Sequence, residues 1–143
     1  MTDARWYLNQ ARIMSAKAKA KQEEIEKIES LLLQGVSFGE KLGSGNDLNK
    51  NEHIIFRLIE LKDQLNWQLE ELIEKQVEIM GMIDRLSSAE EISILHKRYL
   101  QSKKFVVIAD EMSYSRQQVY RIHDQAVADI QKLLNDVTQC YNE

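Results

Sequence analysis

Proline is absent from all 143 residues, and four of the five glycines crowd together at Gly35, Gly39, Gly43 and Gly45. Proline breaks an α-helix by removing a donor and clashing with the preceding turn, and glycine weakens one by about 1 kcal/mol. A chain that excludes both from most of its length is expected to be all-α, with long helices interrupted once near residues 35–50. Its apolar runs, Leu31-Leu32-Leu33 among them, fall far short of the roughly 20 residues that cross a bilayer, and no signal-peptide pattern opens the sequence. No membrane association and a cytoplasmic location are expected. Cys140 is the single cysteine, which rules out an internal disulfide, and its polar surroundings suit neither a metal nor a catalytic role. No enzymatic activity and no cofactor are expected.

The first helical pattern runs from about Asp3 to Leu33, with Thr2 or Asp3 as N-cap. Ala4, Tyr7, Ala11, Met14, Ala18, Ile25, Ile28 and Leu32 form its seam, interrupted by Lys21, and the Ala-Lys alternation at 16–21 favours helix with solvated charges. Residues 35–50, with Ser44, Asn46, Asp47 and Asn49 among the glycines, read as a Gly-rich loop. The Gly43-Ser44-Gly45 sequence lacks both the preceding strand and the following Gly-Lys-Ser/Thr of a phosphate-binding loop. A second pattern from about Asn51 to Leu86 would extend about 54 Å as one helix. Its stripe is Ile54, Leu58, Leu61, Leu65, Leu69, Leu72, Ile79, Ile83 and Leu86, interrupted by Gln76.

Two apolar stripes of similar length on either side of one break are expected to fold back as an antiparallel, coiled-coil-like hairpin over residues 1–86. Trp6, Ile13, Phe56 and Trp67 lie off those seams, on the outer faces. A two-helix hairpin cannot bury both sides of its helices, so these four are expected to form a homodimer or partner interface.

After Leu86 the pattern changes to three shorter helices, expected to form a separate domain over 87–137, followed by a polar tail at 138–143. Ser88 and Glu91 have capping-box spacing and open a helix whose apolar side is Ile92, Leu95 and Tyr99, ending near Leu100. A short helix holds Phe105, Ile108, Ala109 and Met112. Ser113-Tyr114 then makes a turn, and Ser115 caps a last helix with Val119, Ile122, Ala126, Ile130, Leu133 and Val137 on one face. A short helix, a three-residue turn and a Ser-capped long helix is the geometry of a helix-turn-helix, with Ala109 as the small residue that close contact requires.

These elements, Leu95…Arg98-Tyr99-Leu100, Ile108-Ala109-Asp110-Glu111-Met112 and Ser115-Arg116-Gln117-Gln118-Val119-Tyr120-Arg121, resemble region 4 of bacterial sigma-70 factors over residues 86–134. One departure is Ser113, where that family usually has a left-handed glycine; another residue there costs roughly 1 kcal/mol. With the long helical section in front, the chain also resembles ArpU-like and RinA-like regulators of phages of Gram-positive bacteria. The resemblance implies a late-gene activator acting with host RNA polymerase in a bacterial cell.

Opposite the apolar face of the last helix lie Gln117, Tyr120, Arg121 and Asp124, with Arg116 to one side. Arg116, Gln117, Tyr120 and Arg121 are the expected base-reading residues of a double-stranded DNA binder, since Arg pairs with guanine and Gln with adenine. Lys103, Lys104 and Ser115 are placed for phosphates. His96 and His123 lack the spacing of metal ligands.

The net charge of −4 is unevenly spread: residues 35–86 hold six Lys/Arg against ten Asp/Glu, and residues 87–134 hold seven against six. Such a weak positive excess implies low intrinsic DNA affinity. The alternative is a structural or interaction protein whose long helices bind a protein partner without DNA recognition. Long hydrogen-bonding side chains at 116, 117 and 121 favour a DNA reader, because a protein-binding face is more apolar.

Overall fold

The structure is a computed structural model that describes residues 2–42 and 46–141, with side chains described for 2–34 and 51–140. The fold is all-α. The elements are α1 (Ala4–Leu42), α2 (Asn46–Ile83), α3 (Ala89–Leu95) running on into a π-helical turn (His96–Leu100), α4 (Phe105–Met112) and α5 (Arg116–Tyr141). No helix among the described residues is long and apolar enough to cross a membrane.

The break between α1 and α2 is shorter than the sequence pattern suggests. α1 continues through Gly35 and Gly39 to Leu42, and α2 begins at Asn46; residues 43–45 lie outside the described residues. Glycine in a helix costs about 1 kcal/mol but, unlike proline, removes no hydrogen bond, so two of them do not stop the ladder. At the other end the tail expected from 138 is still helical, because α5 runs to Tyr141, with Thr138 Oγ1 donating to the Leu134 carbonyl at 2.9 Å.

The chain forms two compact units, Met14–Glu71 and the combination of Met1–Ile13 with Leu72–Glu143. In the first, α1 and α2 run antiparallel. Ala18, Ile25 and Leu61 are buried, Lys62 pairs with Glu29 at 2.7 Å and Lys21 donates to Gln64 at 3.0 Å. Ile54, placed on the stripe by spacing, is instead exposed.

The second unit divides the chain differently from the boundary at 86 and 87 that sequence spacing sets. Its main core joins Ala4, Tyr7, Leu8 and Ala11 of α1 and Ile79 and Ile83 of α2 to Leu86, Leu95, Tyr99, Ala126, Val127, Ile130 and Leu134. The three C-terminal helices alone are too small to bury a full core, and burying one large aliphatic side chain contributes about 1.5–3 kcal/mol. The start of α1 is fastened to the same core: Gln131 of α5 accepts from Ala4 N at 2.8 Å and donates to the Thr2 carbonyl at 2.9 Å. Asp3 adds the expected cap, its carboxylate accepting from Trp6 N at 3.3 Å.

Candidate nucleic-acid interface

A small second core of Ile94, Ile108, Ala109 and Val119, flanked by Phe105, Met112, Tyr114 and Ile122, holds α3, α4 and the start of α5 together. Ala109 is 4% exposed, as close packing between α4 and α5 demands. The turn follows at once. Ser113 caps α4 in the left-handed region, at φ 57° and ψ 39°, which is the backbone geometry for which glycine is usual. Tyr114 N donates to the Ala109 carbonyl at 2.9 Å, closing the helix end. The Tyr114 hydroxyl donates to Glu90 at 2.7 Å and ties the turn to α3. Ser115 then caps α5, its hydroxyl accepting from Gln118 N at 3.1 Å. At the start of α3, Ser88 accepts from Glu91 N at 3.4 Å in the expected cap.

Val119 is fully buried while Arg116, Gln117, Tyr120 and Arg121 are all exposed. The first two turns of α5 thus present these four side chains to solvent together. Tyr120 is the most constrained, lying against the Phe105 ring at 4.9 Å. Arg98 in turn covers Phe105 at 4.3 Å and donates to the Lys103 carbonyl at 3.0 Å.

The three residues expected near phosphates are in different situations. Lys104 is exposed and forms no ion pair among the described residues. Ser115 is committed to its cap. Lys103 reaches Glu111 at 2.7 Å, and Lys97 reaches the same carboxylate at 2.7 Å. Hydrogen bonds from Lys103 and then Lys97 hold the Glu111 carboxyl below its usual range. Part of the local positive charge is therefore neutralised inside the protein.

Sequence spacing does not single out a polar cluster behind this face. His123 is buried in α5 where an i, i+4, i+7 count from Val119 to Ala126 places an inward position. That periodicity was the available signal. The Tyr99 hydroxyl and His123 Nε2 are 2.6 Å apart and their rings stack, while Nδ1 lies 3.3 Å from the Asp124 carboxylate. A carboxylate only accepts, so Nδ1 carries the proton and Nε2 accepts from Tyr99. Asp124 also pairs with Arg5 of α1 at 3.1 Å, which takes it out of the group free to meet a ligand. Burial pushes the His123 pKa below its ordinary value, and Asp124 partly opposes this. His96 contacts Asp84 at 3.4 Å.

The four off-seam residues are exposed, Trp6 by 60%, Ile13 by 46%, Phe56 by 62% and Trp67 by 61%. Residues 32–131, which span α2 through most of α5, match a family model described as a protein of unknown function, DUF1492. The chain belongs to the DUF1492 family. The matched span contains all the candidate base-reading and phosphate residues but not Trp6 and Ile13. No curated protein and no solved structure matches the chain.

Proposed function

We propose that this DUF1492 chain is a sequence-specific DNA-binding transcription regulator in which α5 is the recognition helix of a helix-turn-helix. The observation that carries the reading is the joint exposure of Arg116, Gln117, Tyr120 and Arg121 on the two turns after the Ser115 cap, opposite buried Val119. In this reading Arg116, Gln117, Tyr120 and Arg121 meet base edges in the major groove, and Lys104, Lys103 and the Ser115 region meet phosphates. The resemblance to sigma-70 region 4 and to ArpU-like and RinA-like phage regulators supports a late-gene activator that works beside host RNA polymerase in a bacterial cytoplasm. Because Glu111 occupies two of the lysines, affinity per domain is low, and self-association through Trp6, Ile13, Phe56 and Trp67 would supply the second contact with DNA.

Selection of bound sites from random duplex DNA tests the proposal. An enriched motif is expected, with Arg121→Ala and Gln117→Ala each costing about 1–3 kcal/mol on that motif and relaxing base choice, while Lys104→Ala weakens all sequences alike. Failure to enrich any motif would remove the DNA reading. The long helices would then be the functional part, as a surface for another protein.

A further inference from the structure

Three arginines gather around the buried Tyr99–His123 pair. Arg5 and Arg12 stand about two turns apart and share a face of α1, and Arg98 lies in the π-helical turn. All three belong to the unit that combines the start of α1 with the C-terminal helices. Burial raises the Tyr99 pKa while the Arg98, Arg5 and Arg12 charges oppose the rise; burial lowers that of His123, and Arg5 and Arg98 lower it further. Among the described residues the carboxylate acting on this pair is Asp124, and Arg5 already holds it at 3.1 Å.

Arg12 and Arg98 are both half-buried and form no ion pair among the described residues. Burial, and then repulsion from Arg12, hold the Arg98 pKa below its ordinary value. Each guanidinium is held in place without using all of its donors. Arg98 lies over the Phe105 ring at 4.3 Å and donates to the Lys103 carbonyl at 3.0 Å. Arg12 donates to Asn9 at 3.4 Å, and its Nε is buried with no acceptor. Two like charges in partial burial, each with donors to spare, are short of an anion.

We infer that Arg12 and Arg98, with Arg5 beside them, form a site for a phosphate group. The planar fork of arginine matches phosphate oxygens in pairs, and both forks are already held in place. The surroundings favour a source. Tyr120 and Asp124, four residues apart on the exposed face of α5, are its edge towards these arginines: Tyr120 lies against the Phe105 ring that Arg98 covers, and Asp124 holds Arg5. A DNA phosphate beside the bases that Tyr120 meets is therefore the occupant, and the first turns of α1 join the DNA-binding surface. This source rests on the proposed function, whereas the site itself does not. It restores positive charge that Glu111 withdraws at Lys97 and Lys103.

Arg12→Gln and Arg98→Gln in the full chain test this, each checked for helix content by circular dichroism, so that if one misfolds the other still reports. Loss of the phosphate contact is expected to weaken all duplexes alike and to lower the slope of log K against log salt by about 0.9. The motif enriched from random DNA is expected to stay that of the wild type. Arg85→Gln, which removes an exposed cation elsewhere in the unit, is expected to leave the slope unchanged. In a second arm without DNA, millimolar inorganic phosphate is compared with chloride at equal ionic strength. Phosphate is expected to raise the Tm of the wild type and not of either variant. A wild type that binds no duplex removes the DNA reading, yet a phosphate effect confined to the wild type keeps the site and makes a free phosphate compound its ligand. The same holds if the variants keep wild-type DNA affinity and slope, or if Arg85→Gln lowers the slope equally. The inference is overturned when neither arm separates the two variants from the wild type and the Arg85 control.

Discussion

Replacing Ser113 by glycine should stabilise the C-terminal unit, and the size of the gain follows from the turn. Ser113 sits at φ 57° and ψ 39°, a conformation that costs a residue with a Cβ about 1–2 kcal/mol. Its side chain is exposed and makes no hydrogen bond among the described residues, while the contacts that close the helix, Ser113 N to the Asp110 carbonyl at 3.3 Å and Tyr114 N to Ala109 at 2.9 Å, are backbone bonds that glycine keeps. Against the relief stands the greater freedom of glycine in the unfolded chain, about 0.4–1 kcal/mol. The net expectation is about 0.5–1 kcal/mol of added stability, or a rise of about 1–4 °C in Tm for a chain of this size. Ser113→Val should move the other way, since a β-branched residue is least tolerant of positive φ. Thermal unfolding followed by circular dichroism gives the global effect. Amide exchange at Tyr114 gives the local one, with protection expected to rise in the glycine variant and fall in the valine variant. If glycine is destabilising while valine is neutral, the turn is not left-handed at Ser113 and the packing of α4 on α5 must be reconsidered.

Three further outcomes follow from the buried polar groups. Tyr99→Phe leaves His123 Nε2 buried without a donor and should cost about 1–3 kcal/mol in urea denaturation at neutral pH. His123 has a folded pKa depressed chiefly by burial, so the unfolded chain binds its proton more readily. Its contribution to stability is present above the unfolded value of about 6.5 and is lost as pH falls below it; His123→Gln should flatten that acid limb. Glu91 behaves oppositely. Burial, with Asp129 beside it, raises its pKa to about 7, so its contribution is full below the unfolded value near 4.5 and is lost as pH rises towards 7. Glu91→Gln should therefore gain stability relative to wild type more at pH 8 than at pH 5, and an identical difference at both would contradict the shift.

Much of the local structure is legible because its causes are local. The absence of proline, the caps at Asp3, Ser88 and Ser115, and the three-residue turn each act within a few residues, and the structure has helices starting where those caps stand. The exposure of Arg116, Gln117, Tyr120 and Arg121 is equally a matter of helical period. Less of the surroundings of the candidate site could be seen. Ion pairing of Lys103 with Glu111 joins residues at the two ends of α4, and the π-helical turn at His96–Leu100 has no marker in the residue pattern. His123 reads by its type as a surface residue, yet the Tyr99 hydroxyl donates to Nε2 and so removes the cost of burying that nitrogen unpaired.

Sequence alone determined that this chain is helical, where most of its helices begin, and which side chains of α5 face outward, because backbone propensity, capping and the 3.6-residue period depend only on neighbours along the chain. Tertiary structure decided which helices share a core. Nothing within residues 4–11 announces that Ala4, Tyr7, Leu8 and Ala11 will pack with Ala126, Val127, Ile130 and Leu134, or that Gln131 will hold the first turn of α1. Hydrophobic burial is proportional to area and indifferent to direction, so a stripe declares that it must be covered without declaring by what. Only the fit between particular surfaces selects the partner, and that fit placed both ends of the chain in one unit.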